Sequence, residues 1–376
     1  MKIPFFNKKK KPAKPKSKAR EWIDAIVFAV IAATLIRWAT LEAFVIPTPS
    51  MEGTLLVGDY LFVSKLHYGS RTPITPLQLP LTHRRFYGTE NVPSYLDWIQ
   101  LPQFRFPGFS EVKRNDAVVF NYPEELQYPL DLREYYIKRC VGIPGDTLNI
   151  ESAVLYVNGE EAFVPEDVEF SYFIKTDQTI RDRVFEEYKI WDKNYQPGYG
   201  GYSVHAHPRE IEKMKALPFI DEIIFSPTVR DGEIITTDSA VVESSTFPKT
   251  PETQWNKDFY GPIYVPSEGQ TIPINHDNLI LYGDVLRYYE HLKDVKIKDD
   301  QLFIDGKQVN EYTFSQDYFF MMGDNRHNSW DSRYWGFVPH DHVVGKAMFI
   351  WMSMDPAKPL FSLDKIRWNR LFNGID

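Results

Sequence analysis

An apolar stretch from Ala25 to Ile46 constrains this chain more than any other feature, because about 20 such residues match the length of a helix that crosses a bilayer. In lipid every backbone amide must bond within its own segment, so a helix is the form such a stretch takes. The uninterrupted part, AIVFAVIAATLI (25–36), is also short enough for a buried core helix or for the apolar part of a cleaved signal peptide. Arg37 and Glu42 interrupt its outer half. What precedes it favours a membrane. Nine basic residues, Lys2 to Arg20, come before the first acidic one, Glu21; they belong to a total of 43 basic residues, so 34 remain against 51 acidic ones, a net of −17 after the tip. Positive flanks stay in the cytoplasm, which puts everything after about Phe44 outside. Trp22 and Trp38 suit the two interfaces. With no strict Ala-x-Ala following it, the segment reads as a retained anchor over 22–44 behind a basic cytoplasmic tip at 1–21. The acidic remainder excludes a bulk nucleic-acid binder.

The 27 prolines and 20 glycines are spread along the whole chain rather than massed, and past the anchor strand-like runs recur in YLFVSKL (60–66), DAVVFNY (116–122), YYIKRCVGI (135–143) and AMFIWMSM (347–354). Helical periodicity is scarce, so a mainly β fold is expected. LYVNGEE (155–161) and LFIDGKQ (302–308) each carry the Asn-Gly or Asp-Gly signal of a tight hairpin. The expected division is a catalytic core from 45–161 and 318–376, with an accessory domain inserted at 162–317. The single cysteine, Cys140, allows no disulfide within the chain. Residues 67–112 form a connection dense in prolines and aromatics, among them Trp98, Phe104, Phe106 and Phe109. Such a segment either rests on the outer leaflet, where rings beside a cation are favoured, or packs on the domain's own core.

Amide hydrolysis by a serine needs a nucleophile, a base for its proton and donors aimed at the developing oxyanion. In IPTPSMEGTLLVGDYLFVSK (46–65), Pro47 and Pro49 stiffen the backbone around Ser50, and Thr48, two residues earlier, presents a hydroxyl on the same side of an extended chain. Alone, a serine in a proline-flanked loop is a turn residue.

Three blocks in order change that reading. PSMEGTLLVGDYLFVSK (49–65), YYIKRCVGIPGD (135–146) and MMGDNRHNSWDSRYWGFVP (321–339) resemble the nucleophile, lysine and closing blocks of the type I signal peptidases. The resemblance implies a signal-peptidase-like β catalytic domain behind one transmembrane helix. It implies Ser50 as nucleophile, Lys138 as general base, and the Ser50 N–H with the Thr48 hydroxyl as oxyanion donors. It implies Ser329 as the residue that orients the lysine, and Asp331 with Arg333 as a supporting ion pair. The implied substrates are secretory preproteins, their C-regions bound as an added strand with small residues before the cleaved bond, and the implied place is the outer side of the cytoplasmic membrane, against lipid. No metal or cofactor is needed.

A lysine base must be a free amine, whereas in water its pKa is near 10.4; burial lowers it by penalising the ammonium. Strand alternation places Tyr136, Lys138 and Cys140 on one face and Ile137, Arg139 and Val141 on the other, with Arg139 expected in water. Gly53 stands where many members carry proline, which is expected to loosen the turn; Thr48 stands in place of a serine, and His327 at an often acidic position. The paired histidines His205/His207 and His340/His342 lack further ligands at metal spacing and read as loop residues. Gly323-Asp324-Asn325 and Gly145-Asp146 read as turns. Two rivals remain: a Ser/Lys self-cleaving regulator, which the anchor disfavours, and a non-catalytic envelope scaffold, which the intact Ser50, Lys138 and Ser329 disfavour.

Overall fold

A computed structural model describes residues 17–375 apart from 87, 90, 91, 166, 226–245, 251, 254 and 360. Most of the basic tip therefore lies outside the described residues. Helix α1 (Lys18–Ala39) begins at Ser17, whose side chain accepts the Arg20 N–H, and none of its residues is buried. Trp22, Phe28 and Ile36 are among the large apolar side chains it leaves exposed. A helix apolar all round and buried nowhere needs a surrounding that is not water. Its 22 residues, at 1.5 Å each, span about 33 Å, close to the roughly 30 Å of a bilayer core. It is the one helix among the described residues long and apolar enough to cross a membrane. The helix stops short of the expected 44. Thr40 caps it by donating its N–H to Ile36 O, and Leu41–Val45 is already a strand. The cause is charge: Glu42 is buried and bridges Arg37 and Lys65, which fixes the chain in the catalytic domain rather than in lipid.

The main sheet is antiparallel throughout, built from β1 (Leu41–Val45), β2 (Asp59–Ser64), β3 (Ala117–Asn121), β4 (Tyr135–Gly142), β5 (Tyr318–Met322), β6 (Val338–Pro339) and β7 (Val343–Ser353), in the order β1-β2-β7-β3-β4-β5-β6. Both its faces are covered. Ala117 and Val119 join Ile46, Leu61 and Ile350 in one core, while Val118 and Phe120 join Cys140, Met321 and Trp335 in another. Burial on both faces explains why β3 reads as an unbroken apolar run rather than an alternation.

Two further bodies grow from this sheet. Strand Tyr260–Tyr264 pairs with Thr147–Glu151, and helix His276–Tyr288 buries Leu279, Tyr282, Val285 and Leu286 in a core that also holds Phe320 and Phe337. The second half of the expected 162–317 insertion is thus continuous with the catalytic body. The first half has its own core: strands Glu222–Phe225, Phe170–Lys175, Gly201–Ala206 and Lys193–Gln196 form a separate sheet, in that order, packed around Ile174, Phe185, Val204 and Met214. Both hairpins read from Asn-Gly and Asp-Gly form, with positive φ at Asn158, Gly159, Asp305 and Gly306, as a two-residue turn of that type requires.

Candidate active site

Ser50 sits in a single 3-10 turn, Pro49–Met51, that follows β1. Pro49 occupies the first position of the turn, where its missing N–H costs nothing. The N–H groups at the head of such a turn have no partner within it. Among the described residues, the Ser50 N–H makes no backbone bond and the exposed Thr48 hydroxyl caps nothing. These are the two groups expected to hold an oxyanion.

Lys138 comes from the middle of β4, and its Nζ is hydrogen-bonded to Ser50 Oγ at 2.5 Å. Both residues are buried, Lys138 at 4% and Ser50 at 9% exposure. The Nζ also lies 5.7 Å from the centre of the Tyr136 ring, which in turn stacks on Tyr122 at 4.6 Å. Burial pushes the amine down to about 8; Asp331 and Asp324 oppose that shift and Arg333 adds to it. As the alternation implies, Tyr136 and Cys140 pack in one core and Ile137 in the other.

Arg139 is not in water. It is 1% exposed and grips Asp324 with a two-pronged pair at 2.7 and 2.8 Å, while its third nitrogen donates to Asn115 O. The opposite face of β4 is interior, so a charge there has to find a charge. Asp324 belongs to the triplet read as a plain turn. That turn is where the site is assembled: the Asn325 N–H donates to Ser50 O at 3.2 Å, and Gly323 lies against both serines. A Cβ on Gly323 would come within 2.2 Å of Ser329 Oγ and 2.4 Å of Ser50 O, so only glycine fits.

Asp331 and Arg333 form the expected pair, again two-pronged, at 2.9 and 2.8 Å. The second Asp331 oxygen also accepts the Gly323 N–H at 3.1 Å, tying the pair to the turn beneath Ser50. Burial alone would raise the Asp331 carboxyl, but Arg333 outweighs it and holds the group below the usual carboxylate range. Ser329 is buried beside Gly323, near enough to Asp331 to help hold that carboxyl low, and among the described residues its hydroxyl makes no bond to Lys138.

Gly53 is explained by what crosses it. Its φ is +96°, out of reach of proline, and Asp167 O stands 1.8 Å from where a Cβ would be. The inserted body enters at this point and stays: Glu169 pairs with Asn325, its N–H on Asp324 O and its C=O on the Arg326 N–H. The glycine fits an incoming chain rather than loosening the turn. His327, the other departure, is held between the Ser171 N–H and Asp258. No cluster of metal-ligating side chains occurs among the described residues.

A buried hydroxyl against a buried amine of lowered basicity is the arrangement of a serine hydrolase that works without imidazole. The family model described as "Signal peptidase, peptidase S26" matches residues 19–198 and 265–352, and the chain belongs to that family. It is similar to the signal peptidase I of Buchnera aphidicola from Acyrthosiphon pisum, 27% identical over 86% of this chain and 72% of that protein. It is also similar to those of Helicobacter pylori, 25% identical over 94% and 91%, and Aquifex aeolicus, 25% identical over 89% and 84%. The unmatched 199–264 include strands Gly201–Ala206 and Glu222–Phe225 of the separate sheet.

Proposed function

We propose that this chain is a membrane-anchored serine endopeptidase that cleaves signal peptides from preproteins through Ser50 and Lys138. The observation that carries the reading is the 2.5 Å contact between Lys138 Nζ and Ser50 Oγ inside a buried pocket. With its pKa brought to about 8, roughly a tenth of the lysine is a free amine at neutral pH, against about one in a thousand for an exposed lysine. The amine takes the Ser50 proton as Oγ attacks the scissile carbonyl. The oxyanion is met by the Ser50 N–H and the Thr48 hydroxyl. Lys138 then gives the proton to the leaving amine, and water, activated by the same lysine, frees Ser50 from its ester.

The Asp331–Arg333 pair acts as scaffold, fixing the Gly323 turn on which the serine rests. Ser329, buried at the same turn though not bonded to Lys138 here, is a positioning residue for the amine. The preprotein's C-region, with small residues before the cleaved bond, adds as a strand to β1, whose outer edge is unpaired among the described strands and which leads into Ser50 within five residues. The catalytic domain works on the outer side of the cytoplasmic membrane, and α1 keeps it in the layer that its substrates also occupy, raising their effective concentration.

Ser50→Ala tests the reading. The variant should bind a preprotein but leave it uncut, with unchanged melting; cleavage at more than a few percent of the wild-type rate would remove Ser50 from the chemistry.

A further inference from the structure

Where α1 leaves its apolar segment, its last turn and residues 71–83 enclose a cavity of about 470 Å³, within the size range of small-ligand sites. Part of its lining is apolar, with Leu35 on the helix and Leu79 and Leu81 on the facing segment. Arg37, Lys65 and Arg71 also line it, against only two carboxylates, Glu42 and Asp131. Those carboxylates are already committed. Glu42 is shared between Arg37 and Lys65, and Asp131 is taken by the N–H groups of Ile74 and Thr75 and the Thr75 hydroxyl. Arg71 is held by the Asn121 side chain and by Asp341 O, neither of them charged. His83, also in the lining, has a buried Nε2 without a partner. Burial, reinforced by Arg84, pushes this imidazole down to about 4, so it is neutral.

The cavity's lining is amphipathic, with Leu35 on the helix and Leu79 and Leu81 on the facing segment apolar, and Arg37 on the helix and Lys65 and Arg71 on the domain cationic. Trp38, whose indole donates to Arg71 O at 2.7 Å and whose ring meets Phe106 edge-on at 6.3 Å, fixes the helix end against its far wall. If α1 spans a bilayer, the opening lies at the headgroup level of the leaflet facing the domain. An excess of positive charge there, together with an unfilled imidazole nitrogen and the apolar side chains of Leu35, Leu79 and Leu81, is the chemistry that recognises a phosphate ester on a lipid.

We propose that this cavity binds one anionic glycerophospholipid, its phosphate among Arg37, Lys65 and Arg71 and an acyl chain along Leu35 and Leu79. The proposal rests on the membrane-spanning reading of α1 but not on peptidase activity. A bound lipid would hold the anchor's end against the catalytic domain and set the height of Ser50 above the bilayer.

The test uses the full chain in a sugar detergent, with binding of dioctanoylphosphatidylglycerol followed by native mass spectrometry and calorimetry. Dioctanoylglycerol and inorganic phosphate serve as separate arms. One phosphatidylglycerol should bind per chain, and each partial ligand should bind about tenfold more weakly or worse, since neither supplies both contacts. Lys65→Gln removes one cation, and Leu79→Trp fills the apolar part of the lining from an exposed position; each should weaken binding about tenfold or more with peptide cleavage retained. If Lys65→Gln lowers the melting temperature, Leu79→Trp alone decides. Equal binding of phosphate alone, equal binding of the phosphate-free lipid, or unchanged affinity in Leu79→Trp overturns the assignment. Should the chain partition into buffer without detergent, the membrane reading of α1 fails first, and that result is distinguishable from a membrane-bound chain with an empty cavity.

Discussion

Thr48 and Ser50 are two residues apart, yet the 3-10 turn that starts between them changes what each can do. Thr48 is extended, with φ −130° and ψ 154°, and its hydroxyl is exposed at the mouth of the site; the Ser50 N–H points out of the head of the turn. If both aim at the oxyanion, Thr48→Val should reduce turnover by on the order of 10²- to 10³-fold with little change in KM, while Thr48→Ser stays active. Normal turnover in Thr48→Val leaves the Ser50 N–H as the sole donor. At this scale two contacts of the candidate site were legible, Lys138 with Ser50 and Asp331 with Arg333. Ser50, Lys138, Asp331 and Arg333 stand where their motifs lead one to look, because each motif is a short run whose own backbone positions the side chain. Arg139 was not legible, since alternation tells which face a residue takes but not whether that face is wet. Its partner Asp324 lies 185 positions on, and only the folded sheet brings them together. Ser329 stands beside Gly323 without a bond to Lys138, so its orienting role was readable from the resemblance alone.

Among the elements, the connection 67–112 packs on the core at its beginning and leaves several rings exposed further on. Tyr68 is buried and its hydroxyl bonds Asp116, so the beginning packs on the core. Trp98, Phe104 and Phe109 are 80%, 60% and 79% exposed, and Phe104 packs edge-on against the exposed Phe106, the start of an apolar patch of the kind that marks an interaction surface. They follow α1 out of the membrane through the Trp38–Phe106 contact, which supports a segment resting on lipid. A fluorophore on Phe109→Cys, the native Cys140 being buried, should be quenched by brominated lipid in reconstituted vesicles. One on the exposed hairpin at Lys307→Cys should not be. Equal quenching at both positions would return the segment to the solvent. The anchor's end was misjudged by about five residues because hydropathy does not register that Glu42 is paired on both sides. The division of 162–317 was invisible for a similar reason: strand Tyr260–Tyr264 belongs to Thr147–Glu151, and pairing between distant strands leaves no local signal.

For the whole molecule, the distinctive feature is a second sheet seated on the nucleophile turn. Its contact is made by groups that resent charge. Burial raises Glu52 to about 7 and Glu169 to about 9; Asp192 adds to the first, and Glu52 and Asp192 to the second, whereas His205 and Arg367 oppose the rise at Glu52. Both carboxyls hold their protons more tightly folded than unfolded, where they titrate near 4.5. The stability they contribute is therefore complete below about pH 4 and is lost as the pH rises through about 7 and about 9. Melting temperature should fall from about pH 6 to about pH 9, and Glu169→Gln should shrink that fall by a few degrees. An undiminished fall would place its cause elsewhere. The same stretch of pH is where the catalytic amine gains its free form, so the enzyme should be most active where this contact is weakest.

That coincidence leads to the measurement on which the account depends, the pH dependence of kcat/KM for cleavage of a signal-peptide substrate by the full chain, alongside Lys138→Arg. The buried amine, lowered to about 8, should give a rate that rises with pH through an apparent pKa near that value, well below that of an exposed lysine. Lys138→Arg should be inactive at every pH, since a guanidinium does not give up its proton. More than a few percent of activity in Lys138→Arg, or a rise centred near 10 in the wild type, would contradict a Ser50–Lys138 dyad.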